Sequence, residues 1–115
     1  MPPAPTVASH FVRSADSVRA TYDALLTAAR ALGPVQEEAK KTSIHLVRTS
    51  AFAGVATRKH GLVLTLKATA NVASPRIRRT EQTSANRWHL EIPLMSASDV
   101  DSELQGWLRE AYNLA

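Results

Sequence analysis

At 115 residues the chain suits one domain with one core, and without Cys it excludes thiol chemistry, disulfide staples and thiolate metal sites. The missing Cys also fits a reducing, cytoplasmic setting. Its formal net charge of +4 is uneven: residues 36–95 hold ten Lys and Arg against four Glu, and residues 96–115 hold one Arg against four acids, so an anionic partner is steered to the middle of the chain.

The chain opens Met1-Pro2-Pro3-Ala4-Pro5, whose prolines disfavour a regular element and which lacks the charged start and apolar centre of a signal peptide. Residues 1–12 therefore read as a short disordered arm, and 13–115 as a single domain. No run of about eighteen apolar residues occurs, so no membrane-spanning segment is expected.

Val18, Tyr22, Leu25, Leu26, Ala29 and Leu32 recur at the spacing of one helix face, after the capping candidates Ser14 and Asp16. Gly33 supplies a positive-φ position at the end, and Pro34 prevents continuation. From Val35 the apolar period becomes two. Val35–Glu38 is a short first strand, and in the run Ile44 to Arg48, Ile44 and Leu46 oppose His45 and Val47. Phe52–Thr57 is a weaker strand. It is joined through Arg58-Lys59-His60-Gly61 to a run in which Leu62, Leu64 and Leu66 oppose Val63, Thr65 and Lys67, an antiparallel hairpin. Residues 71–86 show neither period and read as a long loop containing Arg76-Ile77-Arg78-Arg79. Trp88, Leu90, Ile92 and Leu94 then oppose His89, Glu91 and Pro93. Last, Ser98 is expected to cap a helix carrying Val100, Leu104, Trp107, Leu108 and Ala111 on one face, with Asp99, Asp101 and Glu103 at the positive end of its dipole.

The pattern predicts an α+β domain in two layers: an antiparallel sheet of about 4–5 strands with an N-terminal and a C-terminal helix packed on one face. The other face is then wet and carries His45, Thr65, Lys67, His89 and Glu91.

In order and spacing, the runs Ala31-Leu32-Gly33-Pro34-Val35, Glu38-Ala39-Lys40-Lys41-Thr42, Phe52-Ala53, Arg58-Lys59-His60-Gly61-Leu62, Trp88-His89-Leu90 and Trp107-Leu108-Arg109-Glu110-Ala111-Tyr112 resemble the bacterial family called domain of unknown function 5655. The resemblance spans roughly His10 to Leu114. Members occur alone or at the C-terminus of longer proteins, some labelled as putative transport proteins and some joined to nuclease-like regions. The resemblance implies a fold and carries no catalytic residue; Lys40 and Lys41 are most simply paired locally with Glu37 and Glu38, and their recurrence in the resemblance suggests that one of them, with Lys41 as the candidate, lines a pocket mouth with Thr42.

Chemistry-bearing motifs are absent: there is no Gly-x-Ser-x-Gly, Walker-type loop, dinucleotide fingerprint or HExxH. Arg58 and Lys59 suit phosphate contact, as do Arg76, Arg78 and Arg79, although a solvated hairpin tip and a solubilising loop are the simpler accounts. His45, His89 and Glu91 would make a metal or acid/base site only if their strands were neighbours. Phe52, Trp88 and Trp107 read as core anchors, which leaves base stacking without a platform. The expectation is a non-enzymatic, cofactor-free binding module, monomeric or homodimeric. Its candidate ligand face is Lys41, His45, Thr65, Lys67, His89 and Glu91, for an anionic ligand or nucleic acid; a His-based enzyme and a protein-interaction domain are the alternatives.

Overall fold

The structure, a computed structural model, describes residues 4–115. The first residues of the expected arm, Met1 to Pro3, lie outside the described residues. Ala8–Phe11, which the sequence assigns to that arm, instead form a 3-10 turn. Phe11 holds the turn down by packing on Tyr22, ring centroids 5.2 Å apart.

Helix α1 spans Asp16–Arg30 and strands β1 to β4 span Gln36–Ala39, Ile44–Val47, Ala51–Thr57 and Leu62–Ala68; β5 (Arg79–Ser84), β6 (Arg87–Leu94) and α2 (Ser102–Asn113) follow. The strands form one sheet in the order β1-β2-β3-β4-β6-β5, with every pair antiparallel. The chain thus meanders from β1 to β4, passes to the outer edge for β5, and returns through a tight turn to place β6 beside β4.

The sheet has six strands, more than the 4–5 expected, because part of the expected loop is β5. Its sequence, Arg-Thr-Glu-Gln-Thr-Ser, has no apolar face since an edge strand has little core to cover. The remaining stretch, residues 69–78, is the irregular connection.

Both helices lie on the face defined by Ile44, Leu46, Val55, Leu64, Leu66 and Ile92, where they bury Val18, Tyr22, Leu25, Leu104 and Leu108. Truncating a fully buried member such as Leu64 to Ala would cost roughly 2–4 kcal/mol through lost transfer energy and the cavity left behind. A bulge opposite Leu46 and Val47 turns the consecutive residues Phe52 and Ala53 both inward. Phe52 then meets the edge of Tyr112 at 5.3 Å between centroids. Of the expected aromatic anchors, Trp107 also packs on the core cluster, whereas Trp88, at the far end of β6, is only half-buried and stands outside it.

The helix ends differ from expectation in detail. The N-cap of α1 is Ala15, and Ser14 Oγ donates instead to the Arg58 carbonyl at 2.8 Å. Ser98 sits in a 3-10 turn closed reciprocally by Ser96 and Asp99; α2 is capped by Asp101, which accepts from the Leu104 N–H at 3.0 Å. Gly33 takes φ of +152°, and a Cβ there would run into the Tyr112 hydroxyl, which donates to the Pro34 carbonyl at 3.1 Å. Across the first layer, the Tyr22 hydroxyl donates to Glu37 Oε2 at 2.6 Å, and burial, aided by that carboxylate, pushes the phenol well above its ordinary range. No described helix is long and apolar enough to cross a membrane.

Candidate functional site

Strand register arranges the outer sheet face in rows. One row runs His45, Gly54, Thr65, Glu91, Arg79 across β2, β3, β4, β6 and β5, and the next brings together Lys67, His89 and Glu81. Alternation does this for His45, Gly54, Thr65, Lys67, His89 and Glu91, each one position from a core residue and so facing away from the helices, while Arg79 and Glu81 join the rows through their register with β6.

The rows do not lie on a plain surface. A concavity of about 420 Å³ opens over β2, β3, β4 and β6, bordered by Ser43, His45, Thr65, Lys67 and His89. Gly54 makes its floor, because the space a Cβ would occupy there is bounded only by His45 Cδ2 at 3.8 Å and Thr65 Cβ at 4.0 Å. Ala51 and Ala56 extend the depression with short side chains, and the adjacent bulge increases the local twist. Lys67 Nζ reaches Ser50 Oγ at 3.3 Å, a neutral partner, and no carboxylate belongs to the lining. The uncompensated charge therefore lies at the rim of a mainly apolar depression of ligand size, since small-molecule sites occupy roughly 300–1,000 Å³.

Four of the six expected ligand residues, His45, Thr65, Lys67 and His89, meet at this depression. Glu91 does not: it faces outward beside Thr65 but is drawn to Arg78 Nη2 at 3.4 Å and Arg79 Nη1 at 3.8 Å. Lys41 is exposed in the turn between β1 and β2 and is not part of the lining. His45 and His89 do not share a centre either. Their strands are separated by β3 and β4, roughly 14 Å by strand spacing, and no group of three metal-ligating side chains occurs among the described residues.

The arginines expected to bind anions part company. Arg76 is consumed by the N-terminus of α2: its Nη1 donates to Asp101 at 2.8 and 3.0 Å and to Glu103 at 3.2 Å, its Nη2 to the Asp99 carbonyl at 2.7 Å, and it lies 5.7 Å over Trp107. The hydrogen bond to Asp101 holds the guanidinium's proton more firmly still. The Leu104 N–H, and after it Arg76, hold the Asp101 carboxyl below its usual range. Arg78 and Arg79 pair with Glu91, and Arg79 also with Glu81 at 3.5 Å. Arg58 and Lys59 line a separate groove, described below.

Sequence reasoning missed Gly54, Ser43 and Ala51. A Gly between Ala53 and Val55 in an alternating run is a signal for a floor or bulge. Recognising it needed the cross-strand register.

This domain architecture is matched over residues 7–115 by the family described as "Domain of unknown function (DUF5655)". The chain belongs to that family. No curated protein and no solved structure matches it. The match covers both helices and all six strands of this DUF5655 domain, so the sheet-face depression lies wholly within the family region.

Proposed function

We propose that this DUF5655 domain is a binding module that holds a small organic anion in the sheet-face depression. The observation that carries the reading is the lining itself: Lys67 without a carboxylate partner, two imidazoles and the Thr65 hydroxyl around a floor kept open by Gly54. A carboxylate or phosphate group would sit at Lys67. The ligand's less polar part would lie on Gly54, Ala51 and Ala56. The separation of His45 from His89 favours binding over acid/base or metal chemistry shared between them. A reducing cytoplasm fits the absence of Cys.

Calorimetry against a panel of organic acids and phosphorylated metabolites tests the reading. Lys67→Ala should weaken a hit roughly tenfold, the worth of one charge-assisted contact. Gly54→Leu should abolish it by filling the floor. If no panel member binds, or if binding survives Gly54→Leu in a folded protein, the depression is not a ligand site.

A further inference from the structure

A second concavity, of about 680 Å³, lies between the N-terminal turn and the β3–β4 hairpin. Its walls are stitched together by contacts distant in sequence. Thr57 Oγ1 donates to the His10 carbonyl at 2.6 Å, and the Ala15 N–H donates to the Lys59 carbonyl at 2.8 Å, beside the bond from Ser14 Oγ to Arg58. His10 Nε2 in turn donates to the Lys40 carbonyl at 2.8 Å, since a carbonyl can only accept. The turn is therefore fixed, and it brings Arg13 alongside Arg58 and Lys59.

No carboxylate belongs to the lining of this groove. Among the described residues, ion pairs occupy Arg19, Arg30, Lys40, Arg76, Arg78 and Arg79. Arg13, Arg58 and Lys59 are in none of them. Arg58 Nη1 donates only to the neighbouring Thr57 carbonyl, at 3.1 Å, which leaves its charge uncompensated. Three like charges held at one rim repel one another, and a multiply charged anion relieves that repulsion.

We propose that this groove binds the phosphate backbone of a nucleic acid. Two amides beside it are already used, Ala15 N–H by the Lys59 carbonyl and Arg58 N–H by the Gly61 carbonyl at 2.8 Å, which takes them out of any backbone cradle for a lone phosphate. Three long side chains on a rigid base suit a line of charges instead. Guanidinium groups pair bidentately with phosphate and carboxylate alike. A nucleic acid additionally releases condensed counterions when Lys and Arg neutralise it, a driving force that favours it over an acidic peptide in an open groove. No Phe, Tyr or Trp lines the groove and its one imidazole, His10, is tied to the Lys40 carbonyl, so it reads backbone charge and not base identity.

Fluorescence anisotropy of a labelled single-stranded oligonucleotide of roughly a dozen nucleotides, titrated at several salt concentrations, tests the assignment. Three phosphate contacts predict a slope of log affinity against log salt near about −2. Arg58→Ala with Lys59→Ala should lower affinity at least roughly tenfold at low salt and remove more than half of that slope. Lys59→Gln, which keeps the side chain's reach, should remove about a third of it. Lys67→Ala should change nothing, which separates this groove from the sheet-face depression. Absence of binding at low salt, an unaltered slope in the charge variants, or equal competition by poly-glutamate or inorganic triphosphate at matched charge would each overturn the proposal.

Discussion

The hairpin cations Arg58 and Lys59 and the arginines of residues 76–79 look alike in the sequence, each a short basic cluster in a connecting segment. The fold treats them oppositely. Arg76 is three-quarters buried and engages Asp101, Glu103 and the Asp99 carbonyl, so the acidic start of α2 is largely spent on it. Arg78 and Arg79 are taken up by Glu91. Among the described residues, the only long-range hydrogen bonds of Arg58 and Lys59 are those their backbone carbonyls accept from Ser14 and Ala15, and the side chains form no ion pair. Whether a cation serves packing or a ligand is decided by acids remote in sequence.

The largest expected contrast is in stability. Arg76→Ala removes a network of charge-assisted hydrogen bonds and the cover over Trp107, and should cost roughly 1–2 kcal/mol after allowing for the exposure of its partners, lowering the melting temperature by about 4–10 °C. Arg58→Ala should leave the melting temperature within about 2 °C. Equal losses in calorimetry would mean that the two clusters are not different in kind.

The same pair responds to acid. Asp101 is held below its usual range in the folded state, first by the Leu104 N–H and then by Arg76. A carboxyl depressed on folding contributes stability that is present above its unfolded value of 3.8 and is lost as pH falls through the folded value. The melting temperature should therefore fall below about pH 4. It should fall less steeply in Arg76→Ala, which has already lost part of the cause, and unchanged in Arg58→Ala; identical acid limbs in all three proteins would contradict the pairing.

Much of this was legible in the residues. Both helices, the strands with strong period-two runs, and the outward direction of His45, Thr65, Lys67 and His89 follow from local patterns. β5 escaped because an edge strand over little core has no apolar alternation to show. Gly54 as a floor and the bulge at Phe52 depend on which residues face each other across strands. Arg13 joins Arg58 only because the N-terminal turn folds back on the hairpin, and Arg76 finds Asp101 only through the packing of α2. Local periodicity assigns a face, while neighbours on that face belong to the tertiary structure.

A smaller effect links the second cluster to the sheet-face depression. Replacing Arg78 and Arg79 by Ala leaves Glu91, the register partner of Thr65, without its cations. The freed carboxylate then repels an anion bound near Thr65 and Lys67. A ligand of the depression should lose affinity by roughly two- to fivefold, with the loss fading at high salt. Unchanged affinity in calorimetry would place the anionic group of the ligand away from the Thr65 side.

The smallest effect is one of sign. Arg13, Arg58 and Lys59 are like charges gathered on one groove, so at low ionic strength their mutual repulsion opposes folding. The variant carrying Arg58→Ala and Lys59→Ala should therefore gain on the wild type at low salt, by no more than about 0.5 kcal/mol. Added salt, with a screening length near 10 Å at 0.1 M, should erase the difference. The variant lacking Arg78 and Arg79 must move the other way, less stable at low salt and converging on the wild type as its lost ion pairs are screened in the parent. Melting curves of the three proteins across a salt series resolve this without any ligand. Parallel salt dependences would show that the charges of the groove are compensated after all, whereas curves converging from opposite sides would mark one cluster as used by the fold and the other as left for a partner.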